Sequence, residues 1–441
     1  MIMDKKDSDL LEKIRQQFNN LPYPRNPLER SPDSEVLCLY EHNILNAYYL
    51  RDKTIIESEG KVLLDAGCGS GYTTLALAQA NPGARIIGID ISEGSVDFAK
   101  KRLEYYGFKE AEFYAMPIEE LSEIEKEFDY INCDEVLYLM PDPILGLQAM
   151  KSVLKPSGII RANLHSSLQR VYYFRAQEMF KMMGLMDGNP PELETEIVWE
   201  TMRALKNQVL LKQRTWSSQF DEDKEVALVN HLLQGDKGYT ILEMFSALEA
   251  VGLEFISMVN WRKWELMDLF EEPDNLPVFL GLSLPETSIE QRLHMYELLN
   301  PVHRLLDFWC GHPEQAQAYV PVTEWTTSQW QQAKIHLHPQ LKTEAVKAEL
   351  VRCITHLHPF EINQYLPIAD KQVSLDSALT ACLFPPLLDS AQSMPSLVER
   401  WQKLQPVHPI TLKPTTQEEA FEVVRQALMG LENLGYVLIE H

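Results

Sequence analysis

Short apolar runs alternate with segments of helical periodicity through the first half of the chain. Apolar residues three and four positions apart predict helices, whereas brief runs of Val, Ile and Leu predict strands that are buried on both faces. Such runs predict strands at residues 61–66, 85–90, 112–116, 128–132 and 159–164, with helical segments between them. This alternation predicts an α/β fold with a doubly wound parallel sheet.

A helical cap precedes these units, and we place it over residues 1–53. Residues 10–18 have helical periodicity, and the proline-rich segment 21–27 interrupts it. Residues 35–50 carry apolar side chains three or four positions apart, which predicts a second helix that packs on the sheet.

The sheet-forming domain is expected to span residues 54–270 and to contain a helical insertion. The insertion covers about residues 168–237, after which a helix at 240–251 and a strand at 253–259 are expected to close the sheet. Ligands of such sheets bind beyond the carboxyl ends of the strands. The insertion is therefore expected to act as a lid or as a wall of the substrate site.

Residues 271–441 are expected to form a second, mainly helical domain. Proline-containing joints lead into a helical segment around residues 289–308. Helices at 396–404 and 417–434 and a strand at 435–440 predict a small winged-helix-like unit within 372–441. Its acids outnumber its bases, which favours a protein contact or a structural role over DNA binding.

A glycine-rich turn, Asp65-Ala-Gly-Cys-Gly-Ser-Gly71, follows the first predicted strand. Glycines allow the backbone to approach a ligand closely. A dinucleotide fingerprint needs a glycine at its sixth place, where this chain has Tyr72. Asp65 would repel a pyrophosphate but suits a cationic ligand such as S-adenosylmethionine, which carries an ammonium and a sulfonium.

This turn resembles, residue for residue, the signature of the class I S-adenosylmethionine-dependent methyltransferases, whose sheet is Rossmann-like. The resemblance implies that Asp90 binds both ribose hydroxyls and that Ile91 packs on the adenine. Asp90 follows the last glycine at roughly the 20-residue step of a ribose-binding acid. A nucleotide-like fold without its ligand and an NAD enzyme with an altered fingerprint are the alternatives. The implied cofactor-binding residues are Asp65, Ala66, Gly67, Gly69, Gly71, Asp90, Ile91, Ile118, Glu119 and Cys133.

The adenine contact departs from the family pattern. Members of this family often have an acid after the third strand, where this chain has Pro117. The side chain of Glu119 or the backbone of Ile118 would then contact the adenine. The chain also lacks the Asn-Pro-Pro-Tyr or Asp-Pro-Pro-Tyr pattern after the fourth strand, which argues against a nucleic-acid base or a glutamine-type amide as the acceptor.

The methyl acceptor should lie beside the residues that follow the fourth and fifth strands. Methyl transfer from a sulfonium is an in-line displacement, so the enzyme contributes mainly by holding the nucleophile in a dry pocket. The resemblance implies that Asp134, Glu135 and Tyr138 line this end of the pocket, although helix capping is an equally good reason for Asp134. His165 is the preferred general base, with His42 as the reserve candidate, and a structural histidine is the alternative.

Composition and net charge argue against some classes of binding partner and indicate a cellular compartment. The chain has 441 residues and a formal net charge of −24, so we expect no nucleic-acid binding. Six well-separated cysteines without a C-x-x-C pair favour buried thiols in a reducing cytoplasm. We expect no signal peptide and no membrane span.

We also expect no metal, because the doublets His336/His338 and His356/His358 lack the further ligands of a zinc site.

The proline-rich segment, the sheet-forming domain and the large C-terminal extension together resemble bacterial protein-lysine-methyltransferase-like proteins with a methyltransferase regulatory domain. The first hypothesis is therefore methylation of a protein side chain, docked on the insertion and the C-terminal domain. A small-molecule O-, N- or C-methyltransferase is the second, and a cofactor-binding regulator without turnover is the third. The extra domain could also mediate a homodimer.

Overall fold

The computed structural model describes residues 12–16, 24, 26–187, 192–217, 224–369 and 371–441 of the chain. Residues 12–16 are helical. Both ends of the helix predicted over residues 10–18, and most of the loop predicted over residues 21–27, lie outside the described residues.

Residues 36–52 of the cap form two short helices, α1 (Val36–Glu41) and α2 (Ile44–Asp52). The prediction of one helix over residues 35–50 is wrong at its centre. The side chain of Asn43 caps α2, and the backbone amide of Ile44 donates to the side chain of Asn81 at 3.0 Å. These side-chain hydrogen bonds end one helix and begin the next despite the continuous apolar periodicity.

Five parallel strands form the first part of the large sheet. They are β1 (Val62–Ala66), β2 (Arg85–Asp90), β3 (Glu112–Ala115), β4 (Phe128–Cys133) and β5 (Leu154–Ser166). The helices between them are α3 (Tyr72–Ala80), α4 (Glu93–Tyr105) and α5 (Pro143–Ser152), and a 3-10 helix (Ile118–Ile124) links β3 to β4. The strand order β3-β2-β1-β4-β5 confirms the doubly wound α/β prediction.

A helical insertion follows β5, as the sequence predicts. Its described helices are α6 (Val171–Met182), α7 (Glu192–Ala204), α8 (Leu210–Thr215) and α9 (Lys224–His231). Phe180, Val198 and Ala227 are fully buried in a small hydrophobic core that belongs to the insertion itself. The insertion is therefore a packed body beside the sheet.

The rest of the large sheet follows the insertion. Its elements are β6 (Gly238–Tyr239), α10 (Ile241–Val251), β7 (Glu254–Met258), α11 (Val278–Ser283), α12 (Ile289–Leu299) and β8 (Leu305–Gly311). The full strand order is β3-β2-β1-β4-β5-β8-β7, with the short β6 also paired to β5. Strand β8 runs antiparallel to both of its neighbours, β5 and β7.

Strand β8 corrects two sequence-based expectations. The segment expected to be helical over residues 289–308 is helical only in its first half, and the sheet extends to Gly311 rather than ending before residue 270. The strand carries Leu306, Phe308, Trp309 and Cys310, all fully buried. These side chains face both sides of the sheet, so their near-continuous apolar run marks an interior strand.

The C-terminal part has a second hydrophobic core and a three-stranded antiparallel sheet of order β12-β9-β13. Its helices are α13 (Thr327–Gln332), α14 (Glu344–His356), α15 (Ser377–Asp389), α16 (Met394–Leu404) and α17 (Gln417–Leu434). Its strands are β9 (Lys334–Leu337), β10 (Phe360–Glu361), β11 (Ser374–Leu375), β12 (Gln392–Ser393) and β13 (Val437–Glu440). The winged-helix-like unit stays a prediction. No helix in the described ranges combines the length and apolar character needed to cross a membrane.

Replacing Trp309 tests whether β8 is part of the core. The Trp309 side chain is fully buried, and its Nε1 donates to the Tyr130 hydroxyl at 2.9 Å. We expect Trp309→Ala to lower the free energy of unfolding by ~3–5 kcal/mol in urea titrations followed by circular dichroism. Val302→Ala is the control, because Val302 is 56% exposed and should change stability by less than about 0.5 kcal/mol. Equal stability of the two variants would contradict the position of β8.

Candidate active site

The glycine-rich turn after β1 is tied to the end of β2. The backbone amides of Gly67 and Cys68 both donate to the carbonyl of Ile89 at 2.8 Å. A Cβ on Gly67 would lie 2.3 Å from a methyl of Val136, and Gly67 has a φ of +93°. Only glycine fits both the space and the backbone conformation at this position.

Asp90 ends β2 and points its carboxylate at the same turn. Its Oδ2 accepts from the amide of Gly69 at 3.0 Å, and its Oδ1 accepts from the amide of Ser92 at 2.8 Å. Burial raises the pKa of Asp90 to about 6. Each carboxylate oxygen thus has one backbone donor and keeps a second lone pair available for a ligand.

A cavity of about 490 Å³ opens beyond the carboxyl ends of these strands. Its size is that of a typical small-molecule site. The predicted site residues in its wall are Gly67, Gly69, Asp90, Ile91, Ile118, Glu119, Asp134, Glu135, Tyr138 and His165. Asp65, Ala66, Gly71, Cys133 and His42 lie outside this wall. The structure therefore brings most of the predicted residues together around one space.

Asp65 lies beneath the turn, away from the cavity. Its carboxylate accepts from the hydroxyls of Thr73 and Thr74 and from the Nδ2 of Asn132, at 3.2, 2.5 and 2.8 Å. Burial raises its pKa, and these hydrogen bonds act in the opposite direction. In this geometry Asp65 holds the start of α3 against β4, so it supports the turn from below.

The other predicted residues outside the wall have packing roles. Ala66 and Cys133 are buried at the ends of their strands, and burial raises the pKa of the Cys133 thiol. A Cβ on Gly71 would lie 2.6 Å from the Cα of Ala99. Gly71 therefore lets α4 pack closely against the turn.

The segment after β4 is fixed by Asn163 of β5. The Nδ2 of Asn163 donates to Oδ1 of Asp134 at 2.5 Å, and its Oδ1 accepts from the amide of Glu135 at 2.9 Å. Glu135 has a φ of +61°, a left-handed conformation that costs free energy in a residue with a side chain. One amide side chain thus orients both candidate acids.

Asp134 lies close to two positively chargeable side chains. Its carboxylate is 3.8 Å from the guanidinium of Arg161 and 3.8 Å from Nε2 of His42. Burial alone would raise the pKa of Asp134, but the charge of Arg161, together with smaller contributions that include the hydrogen bond from Asn163, lowers it. Burial lowers the pKa of His42. Its Nε2 accepts a hydrogen bond from an Nη of Arg161, and the side chain lies outside the cavity wall. His42 therefore does not face the space in which an acceptor would bind.

Glu135 forms a bidentate ion pair with Arg304, the residue directly before β8. One Nη donates to Oε2 at 2.9 Å and the other contacts Oε1. The hydroxyl of Tyr138 also donates to Oε2 at 2.7 Å. Three side chains from two distant parts of the chain therefore form one wall of the cavity.

His165 also lines the cavity and belongs to a network centred on Asp236. Its Nδ1 is 2.6 Å from Oδ1 of Asp236, its Nε2 is 3.0 Å from an Nη of Arg304, and its ring stacks on Tyr138 with centroids 3.6 Å apart. A carboxylate only accepts and a guanidinium only donates, so Nδ1 carries the proton and Nε2 has the lone pair. Burial lowers the pKa of His165, which favours this neutral form.

Asp236 also binds the insertion. Its Oδ2 accepts from Arg170 at 2.9 Å and from Gln177 at 2.8 Å. Burial would raise the pKa of Asp236, but the hydrogen bond from His165 and the charge of Arg170 lower it. The insertion is thereby anchored to the end of β5 through one carboxylate.

Sequence reasoning missed Arg170, Asp236 and Arg304. They belong to the insertion, to the loop after it and to the segment before β8, and no motif or spacing links them to the glycine turn. Asn163 does lie near the carboxyl end of the fifth predicted strand, the region that topology identifies for ligand contacts. Its role in orienting two acids comes from the three-dimensional geometry alone.

The cavity fits the cofactor that the sequence implies. The carboxylates in its wall are those of Asp90, Glu119, Asp134 and Glu135, which suit ribose hydroxyls and a cationic ligand. The side chains of Ile91, Met116 and Ile118 give an apolar face that suits a planar base. Within the described residues, no group of three or more His, Cys, Asp and Glu side chains could hold a metal ion.

Comparisons with known proteins show that much of the sheet-forming part is similar to methyltransferases. Residues 57–246 match the family described as "Methyltransferase domain". The uncharacterized protein syc1184_c of Synechococcus sp. is 29% identical over 301 residues, which cover 67% of this chain and 70% of that protein. The ubiquinone biosynthesis O-methyltransferase of Bordetella avium is 35% identical over 128 residues, or 29% of this chain. These residues are 52% of that enzyme, so the chain spans about half the length of this relative.

A solved structure shares the fold over nearly the whole chain. PKMT2 from Rickettsia typhi has a TM-score of 0.60 and is 15% identical, with 94% of this chain and 76% of that chain covered. The same protein has been solved in complex with AdoHcy, with a TM-score of 0.58 to this chain. The likeness extends beyond the sheet to the C-terminal part.

Removing the carboxylate of Asp236 tests the network behind the cavity. The Asp236 side chain is fully buried, and its loss leaves His165, Arg170 and Gln177 without their shared acceptor. We expect Asp236→Ala to lower the free energy of unfolding by ~3–5 kcal/mol, measured by urea titration. The exposed Asp187, replaced by Ala, is the control and should leave stability nearly unchanged. Full stability of the Asp236 variant would refute the network.

Proposed function

We propose that the chain acts as a class I S-adenosylmethionine-dependent methyltransferase and transfers the methyl group of this cofactor to a protein side chain. The proposal rests on which parts of the chain contribute side chains to the cavity wall. Arg170, Asn230 and Leu233 come from the insertion and its end, and Arg304 comes from the segment before β8. The acceptor side of the cavity is therefore made by parts of the chain outside the glycine turn and its strands.

The surface of the insertion supports a macromolecular acceptor. Three apolar side chains near the end of α6 and the start of α7 are exposed: Met182 and Leu193 are 81% and 66% exposed, and Met183, directly after α6, is 51% exposed. Neighbouring exposed apolar side chains favour a contact with another protein, and Met adapts well to varied partners. A protein substrate also needs a broad docking surface, whereas a small molecule needs only the cavity.

The cofactor would lie against the turn, with its ribose on Asp90 and its adenine against Ile91 and Ile118. Glu119 lines the same end, and burial raises its pKa, which suits a carboxyl beside a planar base. Asp134 would face the ammonium of the methionine part. When bound, the cofactor supplies a methyl group on a positively charged sulfur.

The chain's own residues would orient the acceptor and take its proton. Glu135 and Tyr138 line the acceptor end, where they can hydrogen-bond a nucleophilic group. The lone pair on Nε2 of His165 can accept a proton, with Asp236 stabilising the imidazolium that results. The hydrogen bond from Arg304 to Nε2 has to give way first, so the acceptor must displace the Arg304 guanidinium.

A small hydroxylated molecule is the second candidate acceptor. The similarity to a ubiquinone biosynthesis O-methyltransferase favours it, and a histidine paired with a carboxylate can deprotonate a hydroxyl. That similarity covers 29% of the chain, so the insertion and the C-terminal part lie largely outside it.

The cysteines support a reducing compartment. All six thiols are unpaired, and five of them are buried. Buried, unpaired thiols are typical of proteins from reducing environments. We therefore propose a cytoplasmic location.

Labelling in a lysate distinguishes the two acceptor classes. The full chain is incubated with methyl-labelled S-adenosylmethionine in host lysate, which is then separated into macromolecular and small-molecule fractions. We expect protease-sensitive label in the macromolecular fraction. The background is measured with Asp90→Ala in place of the natural chain. Asp90-dependent label confined to small molecules would reject the protein acceptor and establish the second candidate.

Replacing Asp90 tests the cofactor site directly. The variant Asp90→Ala loses two charge-assisted hydrogen bonds to the ribose, so its affinity for S-adenosylhomocysteine should fall by about 2–4 kcal/mol, or ~30-fold or more, in calorimetry. The control variant Asp97→Ala removes an exposed acid from α4. It should bind S-adenosylhomocysteine with the same affinity as the natural chain.

The pH dependence of binding gives an independent check. The pKa of Asp90 is raised to about 6, and the ribose hydroxyls donate best to the ionised carboxylate. The affinity of the natural chain should therefore fall as the pH drops through 6, and the Asp90 variant should lack this dependence. Unchanged affinity in Asp90→Ala at pH 7.5 would falsify the assigned ribose contact.

A further inference from the structure

A second cavity lies where the cap, the edge of the large sheet and the C-terminal part meet. This junction cavity has a volume of about 350 Å³ and shares no lining residue with the active-site cavity. Its wall includes Tyr40 and Tyr49 from the cap, and Trp261 and Trp264 from the turn after β7. The cavity is thus large enough for a small ligand, and aromatic side chains form part of its wall.

Arg262 supplies a positive charge to this cavity. Its guanidinium lies 4.5 Å from the centre of the Trp261 ring, and one Nη donates to the hydroxyl of Tyr40 at 3.1 Å. Its Nε is buried without a hydrogen bond, and no carboxylate in the described ranges forms an ion pair with it. A partly buried guanidinium between aromatic rings is stabilised by them but lacks a counter-ion.

The last turn of α17 leaves room for this guanidinium. Gly435 follows α17 with a φ of +80°, and a Cβ at this position would lie 2.2 Å from an Nη of Arg262. Glycine therefore serves two needs here, since it ends the helix and accommodates the arginine. The chain holds Arg262 at the wall of the cavity by this arrangement.

The other charged groups of the junction cavity are already engaged. Lys53 and Glu432 form an ion pair at 2.9 Å, and Glu432 also accepts from the hydroxyl of Tyr49. Glu265 is exposed, and its carboxylate accepts from the backbone amide of Met267. Arg262 is thus the cation of the wall that has no carboxylate partner in the described ranges.

We propose that the junction cavity binds a small organic monocarboxylate with an apolar body. The carboxylate would accept hydrogen bonds from the Arg262 guanidinium, whose planar fork matches it. The apolar body would lie against the aromatic side chains and against Ile256 and Leu293. A single uncompensated cation in an apolar wall favours one carboxylate over a nucleotide or a polyphosphate, which would bring several charges.

Calorimetry with sodium octanoate tests the proposal on the full chain. We expect saturable binding of one octanoate per chain, and binding of 1-octanol that is about tenfold weaker or more, because the alcohol lacks the charge. Arg262→Gln should weaken octanoate binding by about tenfold or more. Lys263→Gln removes the same charge from an exposed neighbour outside the cavity wall, so it should leave the affinity unchanged.

Two further measurements separate the junction cavity from other causes. Saturation with S-adenosylhomocysteine should leave the octanoate affinity unchanged, whereas competition would assign octanoate to the active-site cavity and overturn the proposal. Circular dichroism checks the fold of Arg262→Gln. If that variant does not fold, the comparison of octanoate with 1-octanol on the natural chain decides. Equal affinities, no saturable octanoate binding, or full affinity in a folded Arg262→Gln would each overturn the proposal.

Discussion

The hydrogen bond from the Gly69 amide to the Asp90 carboxylate joins the ends of the first two strands. It measures 3.0 Å and lies at the carboxyl edge of the sheet, where ligands of doubly wound folds bind. The turn has the required shape because Gly67 leaves space for Val136 and Asp65 is bonded to threonines beneath it. The same carboxylate oxygens then face the cavity. Loss of the Asp90 carboxylate would remove both the ribose partner and one of the hydrogen bonds that hold the turn.

The acceptor end of the site depends on a different constraint, the pairing of β8 with β5. In the observed register His165 lies opposite Leu305, so Arg304 comes directly beside the imidazole. Buried contacts hold this register, including the ion pair between Arg161 and Asp307 at 2.7 Å. The insertion reaches the same imidazole through Asp236 and Arg170. Elements far apart in the chain therefore converge on one histidine.

The sequence was sufficient for features that depend on nearby residues. The glycine turn, Asp90 and the first five strands were predicted because apolar runs and glycine spacing are local signals. The contacts of His165 could not be predicted in this way, because its partners Asp236 and Arg304 lie 71 and 139 residues away in the chain. Strand β8 was interpreted as helical because it follows a helix closely and its apolar run fits either structure. Asn43 divided the cap helix through a side-chain hydrogen bond that periodicity does not report.

A crystal structure of the full chain with S-adenosylhomocysteine would test the central claim most directly. The account predicts both ribose hydroxyls within hydrogen-bond distance of the Asp90 carboxylate and the adenine against Ile91 and Ile118. It also predicts that the sulfur faces the wall formed by Glu135, Tyr138 and His165. A ligand bound elsewhere, or a ribose held by other side chains while Asp90 keeps only its backbone contacts, would contradict the account.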